Sequence, residues 1–229
     1  MKRTASILFS NPLSIVGILL VGIVVVSALF AEFLAPFPEH VGAVVDFANF
    51  NKAPDAVNWF GTDLVGRDLF SRILFAYRTS LILGVVVLVI AVPIGVTLGL
   101  VAGYMGGWTE YVLMRITDVF LSIPPLVLAM SIMGVLEPSL TNGMLAVTAM
   151  WWPWYTRLVY NITRSEREEG YVLAAEVLGA SKLHIIFREI LPNALPAVIT
   201  KMTLDLGFVI LIASSLSFLG LGVQPPTPD

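Results

Sequence analysis

Residues 80–104 read SLILGVVVLVIAVPIGVTLGLVAGY, without one charged side chain. A helix rises 1.5 Å per residue, so about 20 apolar residues cross a hydrocarbon core of about 30 Å. Four further runs, 12–35, 112–135, 140–160 and 195–222, meet the same length. With 57% of the 229 residues hydrophobic and 13% charged, the chain has too little charge to cover so much apolar surface in water. The bilayer is its solvent, and the expected fold class is all-α, a polytopic transmembrane helix bundle of about five spans. The first run follows Lys2 and Arg3 and is longer than the apolar core of a signal peptide, so it is expected to be a retained helix.

Several functions are excluded early. A net charge of −3 offers no nucleic-acid footprint, and the absence of cysteine removes disulfides and thiolate metal sites. His40 and His184 stand far apart in unlike settings, which argues against a histidine metal centre. No G-x-x-x-x-G-K-[ST] run is present to cradle ATP phosphates, and no nucleophile set or dinucleotide fingerprint appears. The chain is not expected to be an enzyme, and no cofactor, catalytic residue or metal is assigned to it.

Orientation follows from Lys and Arg in the connections. With the N-terminus in the cytoplasm, the cytoplasmic side holds Lys2, Arg3, Arg115, Arg157, Arg164, Arg167, Lys182, Arg188 and Lys201. The outside holds Lys52, Arg67, Arg72 and Arg78. The acidic, Pro- and Asn-rich segment 36–76 is then external. Two domains are expected: residues 1–76, an N-terminal helix with an extracytoplasmic segment, and 77–229, a core of helices with a cytoplasmic loop at about 164–190.

That loop contains YVLAAEVLGASKLHIIFREILPNALPAVI (171–199). Arg, Glu, Ala and Leu favour a helix up to Leu178, with small apolar residues at three- and four-residue spacings. Gly179 stands where a left-handed residue would end it, Ser181 where a side chain would cap a second short helix, and Pro192 at that helix's end or at a kink. Ala174 and Ala175 would let a foreign surface approach the backbone closely, as a helix docking into a partner's groove requires.

The pattern Ala174-Ala175, then Gly179, then Leu191-Pro192 resembles the EAA loop of ABC-importer permeases. GAS at 179–181 and ILPN at 190–193 resemble the oligopeptide/dipeptide/nickel branch in particular. FGTDLVGRDLFSRILFAYRTSL (60–81) is similar to the segment before the core helices of those permeases. SLSFLGLGVQPPTPD (215–229) is similar to the end of their fifth helix. One departure stands out: the family's Glu position is Leu173 here, and Glu176 lies a turn later. The resemblance implies a type I ABC-importer permease fold in the cell membrane. It further implies a heterodimer with a homologous permease, two ATP-binding cassette ATPases and an extracytoplasmic solute-binding protein. Ala174, Ala175, Glu176, Gly179, Ala180, Ser181, Leu191 and Pro192 would couple to the ATPases. It also implies a sixth helix, so the chain is expected to be a fragment.

Other residues carry narrower expectations. Lys201 and Asp205, four apart on one helix face, are expected to form an ion pair; the alternative is that Asp205, with Ser214, lines the solute pathway. Arg115 and Asp118 are expected to pair or to anchor their helix end, and Pro124-Pro125 to kink the third run. Trp151, Trp152 and Trp154 lie mid-span and suit helix packing or a cavity wall. The expected function is a permease subunit importing peptides or similar solutes at the expense of ATP hydrolysed by partner subunits, in contact with lipid and not with nucleic acid. The alternative is an ion-gradient-driven secondary transporter or channel, which would need coordinating groups at the midplane.

Overall fold

A computed structural model describes residues 10–229; Lys2 and Arg3, used above for orientation, lie outside the described residues. Among the described residues the regular structure is helical, with one isolated bridge between Thr62 and Asp68 in place of any sheet. The contacts divide it into two units, one comprising the residues before Leu83 together with Val223–Asp229, the other Leu83–Gly222.

In the first unit, helix α1 (Pro12–Leu29) starts where Asn11 Oδ1 accepts the Leu13 N–H at 3.0 Å and Pro12 needs no partner. Its only buried residue is Ala28. An apolar helix left so open satisfies its backbone internally and presents its side chains to lipid. A single turn, α2 (Ala31–Leu34), follows, and Ala31 and Ala35 close on Leu74 of the long helix α3 (Leu69–Met105). The intervening polar segment is built around Asp68. Asn58 Nδ2 donates to its Oδ1 at 3.0 Å, the Ser71 N–H to its Oδ2 at 2.7 Å, and its own N–H donates to His40 Nδ1 at 2.9 Å. Nearby, burial pushes the Asp63 carboxyl up. Hydrogen bonds from the N–H groups of Arg67 and Val65 and from the Arg67 guanidinium outweigh that and hold it below its ordinary value.

The second unit packs α3 beyond Leu83 with α4 (Gly107–Ser122), α5 (Pro125–Met133), α6 (Leu140–Glu166), α7 (Gly170–Val177), α8 (Lys182–His184) and α9 (Leu191–Phe218). Three described helical stretches are long and apolar enough to cross a membrane: Pro12–Leu29, Leu69–Met105 and Lys182–Phe218. The third expected span is a broken pair, α4 and α5, bent by 89° at Ser122 to Pro124. The Pro124-Pro125 pair thus does more than kink: Pro125 begins a new helix, where its missing N–H costs nothing. The fourth expected span is the 27-residue α6, which falls short of the others in hydropathy. The reason is its position. Trp151, Tyr155, Thr156 and Thr163 face the interior, where lipid does not select the side chain, and Arg157, Asn161, Arg164 and Glu166 crowd the last turns of α6.

Gly95, Gly99 and Gly103, at four-residue intervals on α3, bring that helix hard against α6. A Cβ at Gly99 would stand 2.7 Å from the Thr156 carbonyl oxygen, and one at Gly95 would stand 2.5 Å from that of Trp152. Asp118 pairs across to Arg157 of α6 rather than with Arg115, which lies 5.4 Å from the centre of the Tyr111 ring. The correction follows from the bundle: an interhelical arginine was on offer that spacing along one helix could not reveal.

Candidate functional site: the α6–α9 connection

Helix α6 ends at Glu166, and Tyr171 in the first turn of α7 donates its hydroxyl to Glu166 while accepting from Asn193 Nδ2 at 2.8 Å. Burial and the neighbouring Glu166 carboxylate push the Tyr171 phenol up to about 12. Helix α7 is closed by a two-bond C-cap. The Gly179 N–H donates to the Glu176 carbonyl and the Ala180 N–H to the Ala175 carbonyl, each at 3.0 Å, with Gly179 at φ +80. Ser181 then accepts the His184 N–H at 3.3 Å and starts α8.

Beyond α8 the chain departs from expectation. The second short helix does not end at Pro192. A π-helical stretch, Ile185–Ile190, joins α8 to α9 without interruption, and the Leu191 N–H donates five residues back to Ile186 O. The wider turn makes room for a proline ring and absorbs the N–H that Pro192 lacks.

The loop has two faces. Val172, Ile185, Ile186 and Ile190 are buried in the unit's own core, with Ala175, Ala180 and Leu191 packed against them. Leu173, Ala174, Val177, Leu178 and Leu183 face out, Val177 and Leu178 being 88% and 87% exposed. The two alanines therefore part company. At 100° per residue, Ala175 shares the inward face with Val172, and only Ala174 stays on the open side. Gly179, Ser181 and Pro192 are exposed.

Glu176 is held from within. Tyr104 Oη, at the end of α3, donates to Glu176 Oε1 at 2.8 Å. Beside it Tyr160 of α6 bonds Glu110 of α4, and Arg164 Nη1 donates to the Tyr160 hydroxyl at 3.3 Å. Glu110, Arg164 and Glu176 border a cavity of about 530 Å³ that Arg167, Glu168 and Leu173 also line. Sequence reading did not single out Tyr104, Tyr160 or Glu110. Their partners lie 50 and 72 residues away, and nothing local marks them.

Asp205 lies on α9, 4% exposed. Lys201 Nζ stands 3.1 Å from Oδ1, so the expected ion pair is present, and the Trp151 indole N–H donates to Oδ2 at 2.9 Å. The Lys201 ammonium also sits 5.8 Å and 5.4 Å from the Trp154 and Tyr155 ring centres. Ser214 is exposed. Nine residues turn a helix through two and a half revolutions, so Asp205 and Ser214 point to opposite sides of α9. Among the described residues no cluster of His, Asp or Glu is arranged to hold a metal ion.

This arrangement of broken and unbroken helices with an outward loop can be set beside known proteins. Residues 95–229 match the family of binding-protein-dependent transport system inner membrane components. The chain belongs to that family. Residues 1–54 match the N-terminal TM domain of oligopeptide transport permease C. Over 219 residues the chain is 40% identical to the probable D,D-dipeptide transport system permease protein DdpC of Escherichia coli (strain K12), covering 96% of this chain and 72% of that protein. Over 211 residues it is 39% identical to the glutathione transport system permease protein GsiD of Escherichia coli O157:H7, covering 92% and 69%. A chain of the inward-facing MetNI methionine ABC transporter superposes with a TM-score of 0.53 at 22% identity, over 65% of this chain and 72% of that one, and shares the fold. As an inner-membrane permease of an ABC importer, the chain is a transport subunit and not an enzyme. The family acts together with a binding protein and an ATPase.

Proposed function

We infer that this permease is one half of a pathway for peptides or similar small solutes, paired with a homologous permease and driven by two ATPases, one of them docked on the loop 164–190. The solute class rests on the relatives, whose names specify D,D-dipeptide and glutathione transport. The observation that carries the docking assignment is the pair Val177-Leu178, almost fully exposed at the tip of α7 directly before the turn at Gly179. Two large apolar side chains held out on a C-capped helix need a partner surface to cover them. Ala174 gives that partner close access to the backbone. Gly179, Ala180 and Ser181 set the turn that shapes the contact, and Leu191 and Pro192 lead its motion into α9.

In this reading the N-terminus is cytoplasmic. Residues 1–76 form the N-terminal helix with an extracytoplasmic segment facing the solute-binding protein, and 77–229 form the moving core. Asp205 is a structural anchor between α9 and α6 rather than a group lining the pathway, and Ser214 on the opposite face of α9 is the freer of the two to meet a solute. The test of docking is co-purification of the ATPases with the permease. Val177→Arg and Leu178→Arg should each abolish retention of the ATPases while leaving the permease inserted. Undiminished retention in both variants would remove the docking assignment.

A further inference from the structure

Glu176 lies one turn beyond Leu173 on α7, and its carboxylate is turned back onto the chain's own α3. The hydroxyl that meets it belongs to Tyr104, a buried residue one position before the end of α3 at Met105. Immediately after come Gly106 and Gly107, both at positive φ (+67 and +57), which let α3 and α4 meet in a tight elbow. The Arg167 guanidinium lies 5.9 Å from the Tyr104 ring. The cavity of about 530 Å³ opens between this elbow, the end of α6 and α7.

Helix α7 otherwise holds to the unit through Val172 and Ala175 and through the Tyr171 contacts at its first turn. Apolar contacts slide, because they are not directional. A hydrogen bond to a carboxylate has a fixed length and angle, and it joins α7 to α3, a helix of 37 residues. We propose that the Tyr104–Glu176 hydrogen bond is the tether through which movement of α7 is carried into α3, making both positioning residues for coupling. The proposal rests on the docking reading above, since only a loop pushed by a partner has movement to transmit. The cavity beside the tether gives α7 room to swing once the bond is absent.

The experiment measures a distance across the tether in the assembled transporter. The chain has no cysteine of its own, so Val89→Cys on α3 and Glu169→Cys before α7, both exposed, carry a pair of spin labels. In the otherwise wild-type complex the distance distribution should stay narrow with and without ATP and vanadate, because the two helices move together. Tyr104→Phe keeps the ring and removes only the donor. It should leave ATPase retention and ATP hydrolysis intact but broaden the distribution when ATP and vanadate are added. A hydrogen bond to a charged group corresponds to about a tenfold or greater change in the ratio of tethered to released helix. Glu176→Ala should reproduce the effect, whereas Glu176→Gln, whose amide oxygen still accepts, should restore the narrow distribution. A Tyr104→Phe complex with the wild-type distribution in both states overturns the tether. Failure of the docking reading shows itself separately, as ATPase retention indifferent to Val177→Arg and Leu178→Arg.

Discussion

At the scale of single residues, Asp205 shows how a charge is kept in an apolar helix. Its two oxygens are divided between Lys201 on the same helix and Trp151 on α6, so neither lone-pair face is left empty. The partners are not equivalent. Lys201→Met leaves a buried carboxylate without its cation, faced by the Trp151 indole N–H and the Tyr155 hydroxyl, a change that costs about 3–5 kcal/mol when a buried pair is broken. Asp205→Asn costs less, because Lys201 is partly exposed and keeps its contacts with the Trp154 and Tyr155 rings, while the amide oxygen still accepts from Trp151. The double change Lys201→Met with Asp205→Asn should therefore recover most of the thermal stability lost by Lys201→Met alone. Replacing Asp205 by Leu in the double variant should recover less, since the Trp151 N–H is then unpaired at about 1–3 kcal/mol. Melting temperatures of the purified variants, treated as a cycle, check the order. Equal melting of Lys201→Met and the wild type would show that the pair contributes nothing.

Among elements, the decisive contact is the crossing of α3 and α6. Three glycines at four-residue spacing form one face of α3, and along it the α6 backbone approaches to a distance that excludes any side chain. Gly99→Leu should force the helices apart, lowering stability by about 1–3 kcal/mol or more as overpacked cores do. Gly207→Leu on α9 is the control, because a Cβ there meets nothing within 4 Å. The two variants melting alike would remove the close crossing. This contact also marks the limit of what the sequence discloses. Runs of apolar residues locate helices, Pro124-Pro125 marks the break between α4 and α5, and Gly179 with Ser181 marks the turn and cap, because each of these is decided within a few residues. The buried polar face of α6, the inward turn of Ala175, the π-helical entry to α9 and the bonds Tyr104–Glu176 and Trp151–Asp205 are decided by what lies across the bundle. A single sequence carries no sign of which helix that will be.

For the molecule as a whole, the question that organises all others is which ends of the helices share a side of the membrane. Between Lys52 and Lys182 lie α3, the bent pair α4–α5 and α6, the last long enough at 27 residues to extend about 40 Å. If the bent pair crosses as one broken span, three crossings separate the two lysines and they lie on opposite sides. A bent pair that returned to the side it left would end α6 on the face opposite Tyr104, which the Tyr104–Glu176 hydrogen bond excludes. The excess of Lys and Arg in the connections favours the first arrangement with Lys182 inside. Both lysines are exposed and the chain has no cysteine, so Lys52→Cys and Lys182→Cys are clean probes. A membrane-impermeant maleimide should label position 52 in spheroplasts and position 182 only after permeabilisation. Labelling of both, or of neither, would overturn the three-crossing arrangement and with it the Tyr104–Glu176 contact. Labelling of 182 alone would invert the molecule and set α7 on the side without ATP, where no ATPase can push it.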